Sequence, residues 1–212
     1  MAYTPQHIFF CRKMDELTSI GGIGKELARK LLPHLNLARP IRPQLLTPKI
    51  WALLPSAAQA YLRYKPQTSV PRKYFEKLER EGLIIAGSYR RGLATVNDLD
   101  ILARSFKDVE KYFEPPFAAG DEIVRTHYQY ARGKYIAVDV FITRSVIPPA
   151  AYLLFATGSK KFNIIIRGRA KAKGLLLNQW GLWRGEKKIP TPTERDIFAE
   201  IGLPYLPPSE RN

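Results

Sequence analysis

The chain has 212 residues, with 34 Lys and Arg against 19 Asp and Glu, giving a formal net charge of +15. That length suits one or two domains with a sizeable apolar core, and that charge attracts polyanions over several ångströms, so nucleic acid is the first partner to consider. A single cysteine, Cys11, excludes an intramolecular disulfide; with no Cys/His cluster at zinc-ligand spacing, it points to a reducing, intracellular compartment and no structural zinc. Apolar runs are too short and interrupted for a membrane span, and the N-terminus lacks the layout of a secretory signal. His7, His34 and His127 are too scattered to suggest a histidine-based catalytic centre.

From Met14 to Leu35 the pattern is helical, broken at Gly21-Gly22-Ile23-Gly24, and reads as helix, hairpin, helix. Prolines from Pro40 to Pro66 then punctuate short helical segments, Pro48 to Leu54 and Ser56 to Tyr64 among them. Pro71 suits the first turn of a helix running through Arg80 and stopping near Gly82, and a strand begins over Leu83 to Ala86. Strand character returns at Asp100 to Ala103, Glu122 to Tyr130 and Tyr135 to Thr143, the last two joined by a turn containing Gly133, which gives a mixed sheet with flanking helices. Beyond Pro148 and Pro149 the pattern is helical at Ala151 to Leu154 and Phe162 to Lys173, weakly strand-like at Leu175 to Arg184, and helical again at Thr193 to Ile201. Ser209 to Asn212 are expected to fray.

Chemistry concentrates in Gly87-Ser88-Tyr89-Arg90-Arg91-Gly92, followed by Asp98-Leu99-Asp100 at the entry to an apolar strand. Alternation along a strand puts Asp98 and Asp100 on one face, where paired carboxylates can hold hard divalent cations, and turns Leu99 into the core. Gly87-Ser88, between a strand and a helix start, offers backbone N–H groups and a hydroxyl to phosphate oxygens, and Arg91 adds a forked donor. Asp139 interrupts the apolar strand Ile136 to Ile142, where a lone charge needs a cation or a partner. An Asp-x-Asp alone reads as a solvated pair on a strand; the three elements together point to a triphosphate site with two metals.

The same motifs resemble the DNA polymerase beta superfamily, and family X DNA polymerases in particular. Ala156-Thr157-Gly158-Ser159 with Phe162, Asn163 and Arg167 is similar to the family's Thr-Gly-Ser segment and nucleotide-selection helix. The stretches Thr193 to Phe198 and Gly202 to Pro208 are similar to its C-terminal signature, and Leu17 to Gly24 to its helix-hairpin-helix. The resemblance implies an α+β fold: a helical, DNA-binding helix-hairpin-helix subdomain over 1–66, a catalytic nucleotidyltransferase palm with a mixed β-sheet over 67–146, and a small α+β nucleotide-selection subdomain over 147–212. It implies a DNA-directed DNA polymerase, active as a monomer, that adds dNTPs to a primer 3′-hydroxyl and fills short gaps in DNA repair, including base excision repair.

By the same resemblance, Asp98 and Asp100 bridge two Mg²⁺ ions, with Mn²⁺ as a substitute, and Asp139 ligates only the catalytic one. Ser88 and Arg91 hold the β and γ phosphates, within a nucleotide site of Gly87, Ser88, Arg91, Asn97, Phe155, Gly158 and Asn163. Asn163 reads the minor-groove edge of the incoming base, while Arg167 and Lys160 approach the template DNA. Thr18, Ile20 and Ile23, with Gly22 and Gly24, contact DNA, their backbone carbonyls taking a monovalent cation.

The chain departs from the family pattern where Phe155-Ala156 stands for Tyr-Phe, Asn97 for a glycine, and Lys160 for an acidic residue. No lyase domain is expected before Met14. The alternatives within the enzyme class are a template-independent or RNA-directed nucleotidyltransferase, against which the expected hairpin Gly21 to Gly24 and Arg167 weigh, and outside it a non-catalytic DNA-binding module, against which the three carboxylates weigh.

Overall fold

The computed structural model describes residues 66–211, together with Lys25, Glu26, Arg29, Gln59, Arg63 and Tyr64 at helical positions. Contacts divide the chain into two compact units, Met1–Pro66 and Gln67–Asn212, and the described residues belong almost wholly to the second. The hairpin expected at Gly21 to Gly24, with Thr18, Ile20, Gly22, Ile23 and Gly24, lies outside the described residues.

The second unit starts with strand β1 (Val70–Pro71), a 3₁₀ turn over Arg72–Phe75 and helix α1 (Glu76–Arg80). The single helix expected there is thus half 3₁₀. Gly82, at φ +89°, ends it in the left-handed region that glycine adopts without a Cβ clash. Next come β2 (Ile84–Ile85), the short helix α2 (Gly87–Arg90), β3 (Thr95–Val96) and β4 (Asp98–Ala103), then β5 (Ala118–Ala119) and the long hairpin β6 (Ile123–Ala131) and β7 (Lys134–Ile142). Five strands form one sheet in the order β2-β4-β7-β6-β5. Only β4 and β7 run parallel; the other neighbours are antiparallel, so the sheet is mixed.

The period-2 alternation of the strands sorts their side chains. Leu99, Ile101, Ile136, Val138 and Val140 fall on one face and close the main core with Phe75, Leu78 and Tyr89. On the other face, Leu102 and Phe141 are buried with Ala86 against Tyr152 of helix α3 (Ala150–Thr157).

The remainder holds helix α4 (Lys160–Ala172), a second sheet of β8 (Leu176–Asn178), β9 (Gly181–Arg184) and β10 (Lys187–Ile189), and helix α5 (Glu194–Glu200). Where the sequence suggested one weak strand from Leu175 to Arg184, there is a three-stranded antiparallel meander. Asn178 makes its first turn by accepting, through Oδ1, the backbone N–H groups of Trp180 and Gly181 at 2.9 and 3.1 Å. Phe162, Ile166 and Ala170, four apart on α4, pack with Leu154, Leu182, Ile197 and Phe198 in a second core. Thr193 and Asp196 form a reciprocal capping box on α5. The tail does not fray as expected: Pro208–Glu210 is a 3₁₀ turn, and Arg211 is only 1% exposed. Among the described residues no helix is long and apolar enough to cross a membrane.

Candidate active site

Asp100 and Asp139 are register partners on the parallel strands β4 and β7, as are Leu102 and Phe141. Each acid therefore shares the sheet face of the apolar residue two places further on, and stands where the cover supplied by Tyr152 gives out. Asp98, two residues earlier still, continues the same face. Gly87 presses its backbone on Asp100: a Cβ at this position, where φ is +55°, would lie 1.8 Å from Asp100 Oδ2. Only a glycine lets the turn come that close.

These residues open onto a cavity of about 570 Å³ lined by Gly87, Arg91, Asp98 and Asp100 on the sheet side, and on the other by residues of α3, the following turn and α4. That second wall contributes Phe155, Gly158, Lys160, Asn163 and Arg167, with Ala156, Thr157 and Ser159 of the segment similar to the family's Thr-Gly-Ser, and also Ile164, which the sequence did not single out. Lys160, Asn163, Ile164 and Arg167 follow the three- and four-residue spacing of one helix face. Asn163 donates from Nδ2 to the Phe155 carbonyl at 2.8 Å, and the Arg167 guanidinium sits 5.2 Å from the centre of the Phe155 ring. Arg91 joins the walls by donating from Nη1 to the Thr157 carbonyl at 2.5 Å. A second cleft of about 540 Å³, between Pro148, Trp180, Lys188 and Pro190, has no carboxylate in its lining.

The acids repel one another. Asp100 is pushed up to about 7, first by burial, then by the negative charge of Asp98 and Asp139, with Arg91 pulling the other way. Burial also raises the Asp139 carboxyl, against the pull of Arg125. Arg125 is its cross-strand partner on β6, with Nε 3.4 Å from Oδ1. Asp139 is not among the residues lining the cavity. Correspondingly, no three acidic, histidine or cysteine side chains among the described residues form a ready-made ion cage.

Two other expected site residues stand apart from the cavity lining. Asn97 accepts, through Oδ1, the Ser69 backbone N–H at 3.0 Å and hydroxyl at 3.4 Å, tying the start of β4 to the segment before β1. Ser88 buries its Oγ with no hydrogen-bond partner among the described residues.

Behind the cavity lies an ionic knot that no spacing in the sequence signalled. Glu194 receives two guanidinium groups: Arg90 at 2.8 and 3.0 Å and Arg211 at 2.9 and 3.1 Å. Arg90 also donates to Thr157 Oγ1 at 2.7 Å, and the Arg211 carbonyl accepts the Ser159 N–H at 3.1 Å. Burial would raise the Glu194 carboxyl, yet the hydrogen bonds from Arg90 and Arg211 hold it below its ordinary value. The knot thereby fixes the Thr157–Ser159 turn, whose Gly158–Ser159 peptide is cis, against α2.

This architecture has known counterparts. The crystal structure of Leishmania infantum polymerase beta in a ternary gap complex superposes with a TM-score of 0.72 at 20% identity, over 95% of this chain and 90% of that one, so the fold is of the polymerase beta class. The family model of the DNA polymerase beta thumb matches residues 152–212. DNA polymerase lambda of Rattus norvegicus is 30% identical over 169 residues, which are 61% of this chain and 28% of that protein. Repair DNA polymerase X of African swine fever virus (isolate Pretoriuskop Pr4/1996) is 28% identical over 148 residues, 64% of this chain and 84% of the viral protein. The chain spans little more than a quarter of the length of polymerase lambda. By these matches it is similar to family X of the DNA polymerases.

Proposed function

We propose that this protein is a template-directed DNA polymerase that adds dNTPs to a primer 3′-hydroxyl, fills short gaps in DNA during repair, and acts as a monomer. One observation carries the reading: Asp98 and Asp100 line a cavity, Asp100 in register with Asp139 on the neighbouring parallel strand, and they face a wall that bears Lys160 and Arg167. An acidic floor opposite a cationic wall suits a metal-complexed triphosphate lying between them.

The donor set fits divalent metal. Asp98 and Asp100, hard oxygen donors with no sulfur or imidazole beside them in the cavity lining, suit Mg²⁺, with Mn²⁺ as a substitute, and Asp139 stands in register next to Asp100 as a third carboxylate. Asp98 and Asp100 would hold both ions, and Asp139, once parted from Arg125, the one beside the primer 3′-hydroxyl. When bound, such a pair neutralises charge on the attacking and leaving oxygens. The protein's own groups do the positioning that phosphoryl transfer otherwise requires. Ser88 and Arg91 hold the β and γ phosphates, and an unpartnered buried hydroxyl on Ser88 supports that role, since a phosphate oxygen would satisfy it. Phe155 and Gly158 shape the space for the sugar and base. Asn163, its amide nitrogen already bound to the Phe155 carbonyl, keeps its oxygen for the minor-groove edge of the base. Arg167 and Lys160 approach the template strand. The segment Thr18 to Gly24, outside the described residues, would add sequence-independent phosphate contacts with a monovalent cation.

The test is primer extension on a one-nucleotide gap and on an unpaired primer, with each dNTP. Extension follows the template base on the gap, and Asp98→Ala or Asp139→Ala abolishes it without weakening DNA binding, because removing a negative charge beside phosphates cannot reduce that attraction. Extension indifferent to the template base, or turnover retained in both variants, overturns the proposal.

A further inference from the structure

Helix α2 carries Ser88 and is followed by Arg91 as its C-cap, but it is a single turn of four residues, too short to hold its own orientation. Gly87 fixes its start against Asp100, and the Glu194 knot takes Arg90 near its end. Between these two, Tyr89 points away from the cavity and is 1% exposed. Three of its groups are engaged by the segment 72–80, none of which lines the cavity. Its hydroxyl donates to Glu79 Oε2 at 2.6 Å. Arg72 lies over the ring, 4.0 Å from its centre, and donates from Nη1 to the Tyr89 carbonyl at 2.8 Å.

The chemistry of this contact is matched at every point. An aromatic ring is negative on its faces and positive at its edge, so a guanidinium belongs on the face and a carboxylate on the hydroxyl. The Tyr89 carbonyl accepts the Gly92 N–H at 3.0 Å as well as Arg72, so the arginine grips the bond that closes the turn. Arg72 is itself anchored: its backbone N–H donates to the Ala94 carbonyl at 2.9 Å, beside the β1–β3 pairing of Pro71 with Thr95. Rotation of α2 would carry Ser88 and Arg91 with it, and these contacts oppose it from the side opposite the cavity.

We propose that Arg72 and Glu79 are positioning residues which, through Tyr89, set the reach of Ser88 and Arg91 towards the β and γ phosphates of a nucleoside triphosphate. The inference rests on the polymerase reading and names a second layer that serves it.

Tyr89→Phe removes the hydroxyl and keeps the ring, so it tests the contact in the full chain on gapped DNA. KM for the dNTP rises about three- to ten-fold, as expected when a charge-assisted hydrogen bond that positions phosphate-holding groups is lost, while kcat stays within about two-fold. Glu79→Ala does the same, and Glu79→Gln, which retains an acceptor for the hydroxyl, stays nearer to the unaltered protein. In an Arg91→Ala background the effect of Tyr89→Phe shrinks, because the part that acts through Arg91 is gone and only that through Ser88 is left. A lowered melting temperature with KM unchanged, or a KM effect equally large in both backgrounds, makes the cluster a stabilising contact only and overturns the inference. Should Arg91→Ala itself leave KM unaltered, the triphosphate reading falls first and takes this one with it.

Discussion

The two walls of the cavity are built on different physical principles. On the sheet side, Asp98 and Asp100 hang from a strand whose alternate residues, Leu99 and Ile101, are fully buried, so the hydrophobic core that holds the strand also aims the acids. The opposite wall is one face of a helix on which Ile164, in the cavity lining, and Ile165, outside it, are 63% and 57% exposed. It is held to the sheet side by the packing of Tyr152 on Leu102 and Phe141 and, in addition, by charge: Arg90, Glu194 and Arg211 at the back and Arg91 across the front. One wall is positioned by packing alone and the other by packing together with a few hydrogen-bonded ions, so substitutions should separate them.

The largest effect belongs to the knot. Glu194 is 7% exposed and the Arg211 side chain wholly buried, so Glu194→Ala strands two guanidinium groups and lowers stability by about 3–5 kcal/mol in denaturant melts. Arg211→Met, which fills the space without a charge but leaves Arg90 on Glu194, costs less. If Glu194→Ala melts like the unaltered protein, the second wall is held by packing alone after all, and the contrast between the walls disappears.

Next in size is Gly87→Ala on the sheet side. It puts a methyl against Asp100 at a positive φ, so it costs about 1–3 kcal/mol and displaces an acid of the cavity floor. Gly133→Ala is the control: φ is +68° there too, but nothing lies within 4 Å of the added carbon. It carries the backbone strain alone and leaves dNTP incorporation unaltered. Equal loss of incorporation in both variants would remove the argument from close approach.

The difference between the walls also explains what the sequence could tell. Alternation is local, so the pairing of Asp98 with Asp100 and the burial of Leu99 were readable from six residues of strand. The lone acid in Ile136 to Ile142 was equally visible, but its pairing with Arg125 depends on the register of a hairpin whose turn lies several residues away. Phe155, Asn163 and Arg167 could be singled out only through resemblance, since nothing local marks a polar helix face as one side of a cavity. The knot was invisible: Arg90 and Glu194 are 104 residues apart, and a terminal Arg-Asn reads as a frayed end until a buried carboxylate is seen waiting for it. Fold class and strand order of charge were legible because they follow from periodicity; contacts between distant segments were not.

The smallest effect tests whether packing on the sheet side has a titratable weak point. His127 lies on β6 opposite Ala137, on the face that carries Asp139, and is 2% exposed against Phe117 at a ring separation of 5.0 Å. Burial lowers its pKa from 6.5 to about 4, so the folded protein keeps it neutral where the unfolded chain takes up a proton. The unfolded state then binds more protons between about pH 4 and 6.5, which makes stability rise with pH across that window and level off above it. From pH 6.5 down to 5.5 the loss from this one group is about 1 kcal/mol. His127→Phe removes the titration, so its denaturation midpoint should fall less steeply than that of the unaltered protein over the same interval. Parallel pH profiles for the two proteins would mean that the imidazole is protonated inside the fold, and that the sheet side, too, tolerates a buried charge.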